Sequence, residues 1–160
     1  PAWWVAPAAL LAAVLHVLRQ WHWQPFATRD QPILWVLHLS HAWIPLGCAL
    51  LALNAVGWVA QPVAVHALGV GALGGTVIGM ITRTALGHTG RALVVGRLEA
   101  SAYLMVHAAA FARVAAGLVP ELGYTVLVAA AAWLWAGAFT IYFIVYLPRL
   151  VRPRLDGRPG

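Results

Sequence analysis

The sequence has no lysine, one cysteine (Cys48) and only four acidic residues in 160 positions. Each scarcity excludes something. A lone cysteine cannot close an internal disulfide and supplies no CxxC or CxxCH element. So few carboxylates give no pair at a spacing suited to acid and base work, and there is neither a Ser/His/Asp pattern nor a phosphate-binding P-loop. Hydrolytic chemistry is unsupported. Charged residues make up 9% of the chain, against roughly 25% in soluble domains.

What fills the chain is apolar: 62% hydrophobic residues and a mean hydropathy of +0.82. The fold class expected is all-α, a polytopic transmembrane helical bundle. All ten basic residues are Arg, giving a formal charge of +6. They lie between apolar runs and at the C-terminus, with no polar domain to present them to a duplex, so lipid head groups are the expected partner and nucleic acid is not. Cys48 sits inside an apolar run and reads as a small core residue. No signal peptide precedes Trp3 and Trp4, and the expectation is a single-domain fragment of a longer polytopic protein, with further N-terminal helices as partners.

About five segments are long enough to cross roughly 30 Å of hydrocarbon as helices. They are expected near residues 3–18, 33–59, 63–82, 98–114 and 122–147, with a basic tail over 148–160. Trp21 and Trp23 mark an interface, and Arg29 and Asp30 fall in a polar linker ending at Pro32. Pro45 interrupts the second segment and frees the carbonyl of His41, so a kink is expected. Gln61 and Pro62 are read as a short hairpin connection. Gly71, Gly75 and Gly79 recur at spacing four, with Gly74 alongside, a stripe that admits either another helix or a flat ligand. Pro148 is expected to close the last helix.

Charge fixes the expected topology. If five helices alternate, Arg19, Arg29, Arg83, Arg91, Arg97, Arg149, Arg152, Arg154 and Arg158 share one side and Arg113 stands alone on the other. By the positive-inside rule the side with the C-terminus and Gly87-His88-Thr89-Gly90 is cytoplasmic.

Gly79 to Arg91 places Arg83, His88 and Arg91 together where hydrophobicity breaks. Ionisable groups there read as a site or an anchor, and the histidine and glycines beside the arginines favour a site. Seven histidines in so apolar a chain also need an explanation. His38 and His41 share a helix face towards the cytoplasmic end. His66 starts the third segment at the opposite surface, His107 lies near the middle of the fourth, and His16 and His22 read as interfacial. Neutral imidazole binds haem iron, copper or zinc when its second nitrogen is hydrogen-bonded. Met80, Met105 and Cys48 are soft donors without diagnostic spacing. Glu99, Tyr103 and His107 recur at spacing four; Glu99 reads as a surface partner of Arg97, or as one end of a proton path along that face.

The motifs resemble those of the NnrS family, bacterial inner-membrane proteins associated with nitric oxide and denitrification. The residues that carry the resemblance are His66-Ala67-Leu68-Gly69-Val70-Gly71 with Gly74, then Gly79-Met80-Ile81-Thr82-Arg83 and Leu86-Gly87-His88-Thr89-Gly90-Arg91. The ending from Arg152 to Gly160 also matches. The resemblance spans about Trp35 to Gly160, the C-terminal part of the family. It implies a haem-containing, and also copper-containing, multi-pass membrane protein that handles nitric oxide or protects against it. It implies a haem or metal role for His41, His66 and His88, with His38 beside them, and propionate pairing for Arg83 and Arg91 through their bidentate guanidinium groups. Two other readings stand beside it: a transporter or sensor module for a small anion or metal ion, and a packing module for a site elsewhere in the chain. Whether the protein is an enzyme is left open.

Overall fold

The structure is a computed structural model and describes residues 3–155 and Gly157. All regular structure among these residues is helical. The helices are α1 (Val5–His22), α2 (Pro32–Ala55), α3 (Gln61–His66), α4 (Gly75–His88), α5 (Arg97–Leu118) and α6 (Tyr124–Leu150). Between α3 and α4 the chain runs on as a π-helix, Ala67–Gly74, so that residues 61–88 form one continuous rod. Four elements are long and apolar enough to cross a membrane: α2, the 61–88 rod, α5 and α6. The protein is a membrane-spanning helical bundle. Among the described residues α1 has the length but is less apolar than these four, and it packs along α2, so the expected bundle of about five helices stands with four of them the most apolar.

Local sequence explains where these helices begin and end. Pro32 and Pro62 occupy first-turn positions, where a missing N–H costs nothing. At the end of α2, Gly57 adopts φ 83°, and Trp58 N–H bonds Leu53 O at 3.0 Å while Gly57 N–H bonds Asn54 O at 2.9 Å. This is a Schellman ending with glycine in the left-handed position. The turn between α2 and α3 is therefore residues 56–60, and Gln61 and Pro62 belong to the helix that follows. Pro45 does not break α2, which runs through it as one helix with Pro45 buried. Pro148 likewise lies inside α6, which continues to Leu150.

Glycines set the packing. A Cβ at Gly71 would enter the Trp43 ring, one at Gly75 would strike Ser40 and His107, and one at Gly79 would meet Val36 and Leu37 at 3.0 Å. Gly74 takes the Trp135 ring in the same way, at 2.5 Å. The stripe is thus a set of notches for α2, α5 and α6, the close-approach device of membrane helices. The order of these contacts shows α2 and α5 running antiparallel to the 61–88 rod. The rod, α2 and α5 make the core, around Trp43, Ile78, Tyr103 and Val106. α1 and α6 flank it, α1 burying only Ala13 and α6 only Ala131, Ala138 and Tyr146. Their other faces are apolar and exposed, as lipid contact requires.

This arrangement brings the 23–31 connection, the 89–96 connection and the tail to one end of the bundle. Arg29, Arg91, Arg97, Arg149, Arg152 and Arg154 gather there. Arg113 sits near the other end, its guanidinium 5.9 Å from the Tyr124 ring.

Candidate functional site

The Gly87 to Arg91 run has a structural task. α4 continues through it to His88, further than the Thr82 expected. Arg91 N–H then bonds Leu86 O at 2.9 Å and Gly90 N–H bonds Gly87 O at 3.2 Å, with Gly90 at φ 68°. That is a second Schellman ending. Thr89 is buried and turns its hydroxyl back on Ala85 O at 2.6 Å, and Thr89 O accepts Leu155 N–H at 3.2 Å from the tail. His88 O accepts Arg154 Nη1 at 2.9 Å. Arg91 Nη1 lies 3.4 Å from both Thr89 O and Arg149 O. The motif and the Arg-rich tail are therefore two halves of one latch. The tail's last matched residues, Asp156 and Arg158 to Gly160, lie outside the described residues.

The histidines expected to share a site are dispersed. His66 and His88 lie at opposite ends of one rod, about 30 Å apart at 1.5 Å per residue. His88 is exposed. Arg83 is half-buried in the last turns of α4, away from His66. His38 and His41 face α1: Gln20 Nε2 donates to His38 O at 2.7 Å, and His16 Nδ1 lies 3.4 Å from His41 Nε2. Trp23 covers His41 with ring centres 4.7 Å apart. Since Ser40 is level with Gly75, midway along the rod, His41 sits near mid-span rather than towards the tail end. His16, read from the sequence as interfacial, is its partner; only the antiparallel register of α1 and α2 could have revealed that.

Among the described residues, no group of three or more His, Cys, Asp or Glu side chains is placed to hold a metal. Two grooves accompany histidines instead. One of about 430 Å³ is lined by His38 with Phe26, Trp35, Leu39 and Arg29. The other, of about 210 Å³, is lined by His66 and Arg113 with Val70, Ala131 and Trp135. The two rings differ in how they are held. His66 Nδ1 bonds the carbonyl of Pro62, and a carbonyl only accepts, so Nδ1 carries the hydrogen and Nε2 keeps its lone pair. The His38 ring lies beside the Trp23 ring, with centres 6.2 Å apart.

His107 is held the opposite way. Trp43 Nε1 donates to His107 Nδ1 at 3.1 Å, so in the neutral ring the hydrogen is on Nε2, which is buried without a partner among the described residues. A metal on Nε2 would require that hydrogen elsewhere. Glu99 is also buried, and its partner is Arg149 Nη1 at 3.0 Å, not Arg97 as expected from the sequence. Its other oxygen accepts Gly96 N–H at 3.0 Å, which caps α5.

No curated protein and no solved structure matches the chain. One family model, described as NnrS protein, matches residues 1–154. The match includes α1 and so extends beyond the region from Trp35 where the resemblance was drawn. With its membrane-spanning helices, its Gly-notched rod and its latched Arg-rich tail, this chain belongs to the NnrS family, and so to a nitric oxide-related group of membrane proteins.

Proposed function

We propose that the protein binds haem and acts in the response to nitric oxide, protecting against it in denitrification-linked metabolism, with His66 as the residue that would hold the iron. The observation that carries this reading is the hydrogen bond from His66 Nδ1 to Pro62 O. It fixes the tautomer in which Nε2 can ligate, and it is the outer-shell contact that orients a ligating imidazole. The groove beside it has apolar walls and one guanidinium, Arg113. Such a lining suits a flat apolar ring that carries carboxylates. Haem would supply an iron at which nitric oxide binds; the chain's own residues would hold the ring and pair its acidic edge.

His41 and His88 have weaker support than His66. His41 is turned to His16, and His88 belongs to the tail latch. Arg91 is likewise directed at backbone carbonyls rather than at a ligand. For copper, among the described residues His16 and His41 bring two imidazole donors together, a ligand type that suits that metal.

For placement in the membrane, the gathering of arginines at the tail end supports a bacterial inner-membrane protein with that end cytoplasmic. A transporter would be favoured by a broken helix or an open glycine stripe; α2 is continuous, and Trp43 and Trp135 fill the stripe at Gly71 and Gly74.

The test is the haem content of the purified full-length protein, read from its Soret band, for wild type, His66→Ala and His88→Ala. Loss confined to His66→Ala supports the reading. Haem-free wild type that moves a solute across a vesicle would sink it.

A further inference from the structure

Between α4, α5 and α6, near the tail end, lies a cavity of about 10 Å³ bounded by Thr82, Glu99, Tyr103, Tyr142 and Tyr146, with Ile78 and Ala102 as apolar walls and the Tyr142 hydroxyl turned to Ile81 O at 3.5 Å. Tyr103 and Tyr146 are each 1% exposed, and neither hydroxyl has a hydrogen-bond partner among the described residues. Both phenols face this one small void beside the Thr82 hydroxyl without a made hydrogen bond, and each buried unsatisfied donor costs on the order of a full desolvation penalty. The void is about the size of one water, for which roughly 10–15 Å³ is needed.

We propose that this cavity is a built binding site for a single water molecule. The hydrogen-bond inventory closes around it. Thr82 Oγ1 donates to Ile78 O at 2.8 Å, so its lone pairs are left to accept. Glu99 accepts Gly96 N–H through Oε2 and Arg149 Nη1 through Oε1, and each carboxylate oxygen retains a further acceptor direction. One water accepts from both phenols and donates to Thr82 and Glu99. That gives four hydrogen bonds, the upper end of the range for buried waters. The water ties three helices to the same carboxylate that holds Arg149, at the end where the tail is latched. Nothing in this site involves His66, so it stands apart from the haem reading.

The sign of a stability change tests the site in the full-length protein. With the water present, Tyr103→Phe and Tyr146→Phe each remove a made hydrogen bond and lower the melting temperature by about 2–4 °C. The double variant loses less than the sum, because both hydroxyls share one water. If either Phe variant melts at or above the wild-type temperature, the hydroxyl had no partner to lose and the proposal is overturned. A second readout does not depend on folding energy. Infrared spectra of the wild type should show a buried O–H stretch that shifts on exchange into H₂¹⁸O and is missing from Tyr103→Phe; a wild-type spectrum without that band also overturns it.

Discussion

Trp43 on α2 donates its indole N–H to Nδ1 of His107 on α5 at 3.1 Å, with the two residues only 2% exposed. One bond thereby joins two helices across the Gly-notched rod and sets the tautomer of a histidine near mid-span. It assigns His107 to the scaffold. Trp43→Phe leaves both ring nitrogens unpaired and should cost about 1–3 kcal/mol, seen as a lower melting temperature in detergent. Haem content per folded molecule should be unchanged. A His107→Ala protein that folds but has lost its haem would contradict this assignment.

The glycines separate packing from function. Gly71→Ala drives a methyl into Trp43 and Gly75→Ala into Ser40 and His107, and each should destabilise by about 1–3 kcal/mol. Gly87 has nothing within 4 Å of a built Cβ. Gly87→Ala should therefore be neutral or stabilising by up to about 1 kcal/mol, as for an open helical glycine. Gly90, at φ 68°, should lose about 1 kcal/mol or more as alanine. Thermal unfolding of the four variants checks the order.

The class of fold was legible because it follows from amounts: so apolar a chain has few places to be except a bilayer, and helices are what span it. Span positions were legible to within a turn or so for α1, α2, α5 and α6. What failed were punctuation readings. Pro148 looks like the end of α6, which instead runs on to Leu150, and α2 stays one helix through Pro45, where a kink was expected; in a membrane bundle neighbouring groups tolerate a proline inside a helix. The Gly87 to Arg91 run looked like a site because glycine, histidine and arginine coincide there. Its second glycine, Gly90, supplies a left-handed backbone, and its arginine reaches the adjacent Thr89 carbonyl and the Arg149 carbonyl 58 positions on. Pairings of that range, like His16 with His41 or Glu99 with Arg149, depend on helix register, and a single sequence does not display register.

The buried ion pair should behave as a pair. Glu99 is nearly buried and Arg149 about a third exposed, 3.0 Å apart. Removing Arg149 alone strands a carboxylate and should cost about 2 kcal/mol, less than for a fully buried pair because Arg149 reaches solvent. Arg149→Met with Glu99→Leu should recover part of that loss. A double variant whose destabilisation equals the sum of the two single changes would show that the charges do not interact.

His66 carries the central claim, and its chemistry can be read directly. The measurement is the optical spectrum of the reduced full-length protein before and after nitric oxide, for wild type, His66→Ala and His88→Ala. The account predicts a Soret band in the wild type that nitric oxide shifts, the same behaviour in His88→Ala, and loss or displacement of the band in His66→Ala. A wild type without haem, or a band that survives His66→Ala unchanged and disappears in His88→Ala, would contradict it.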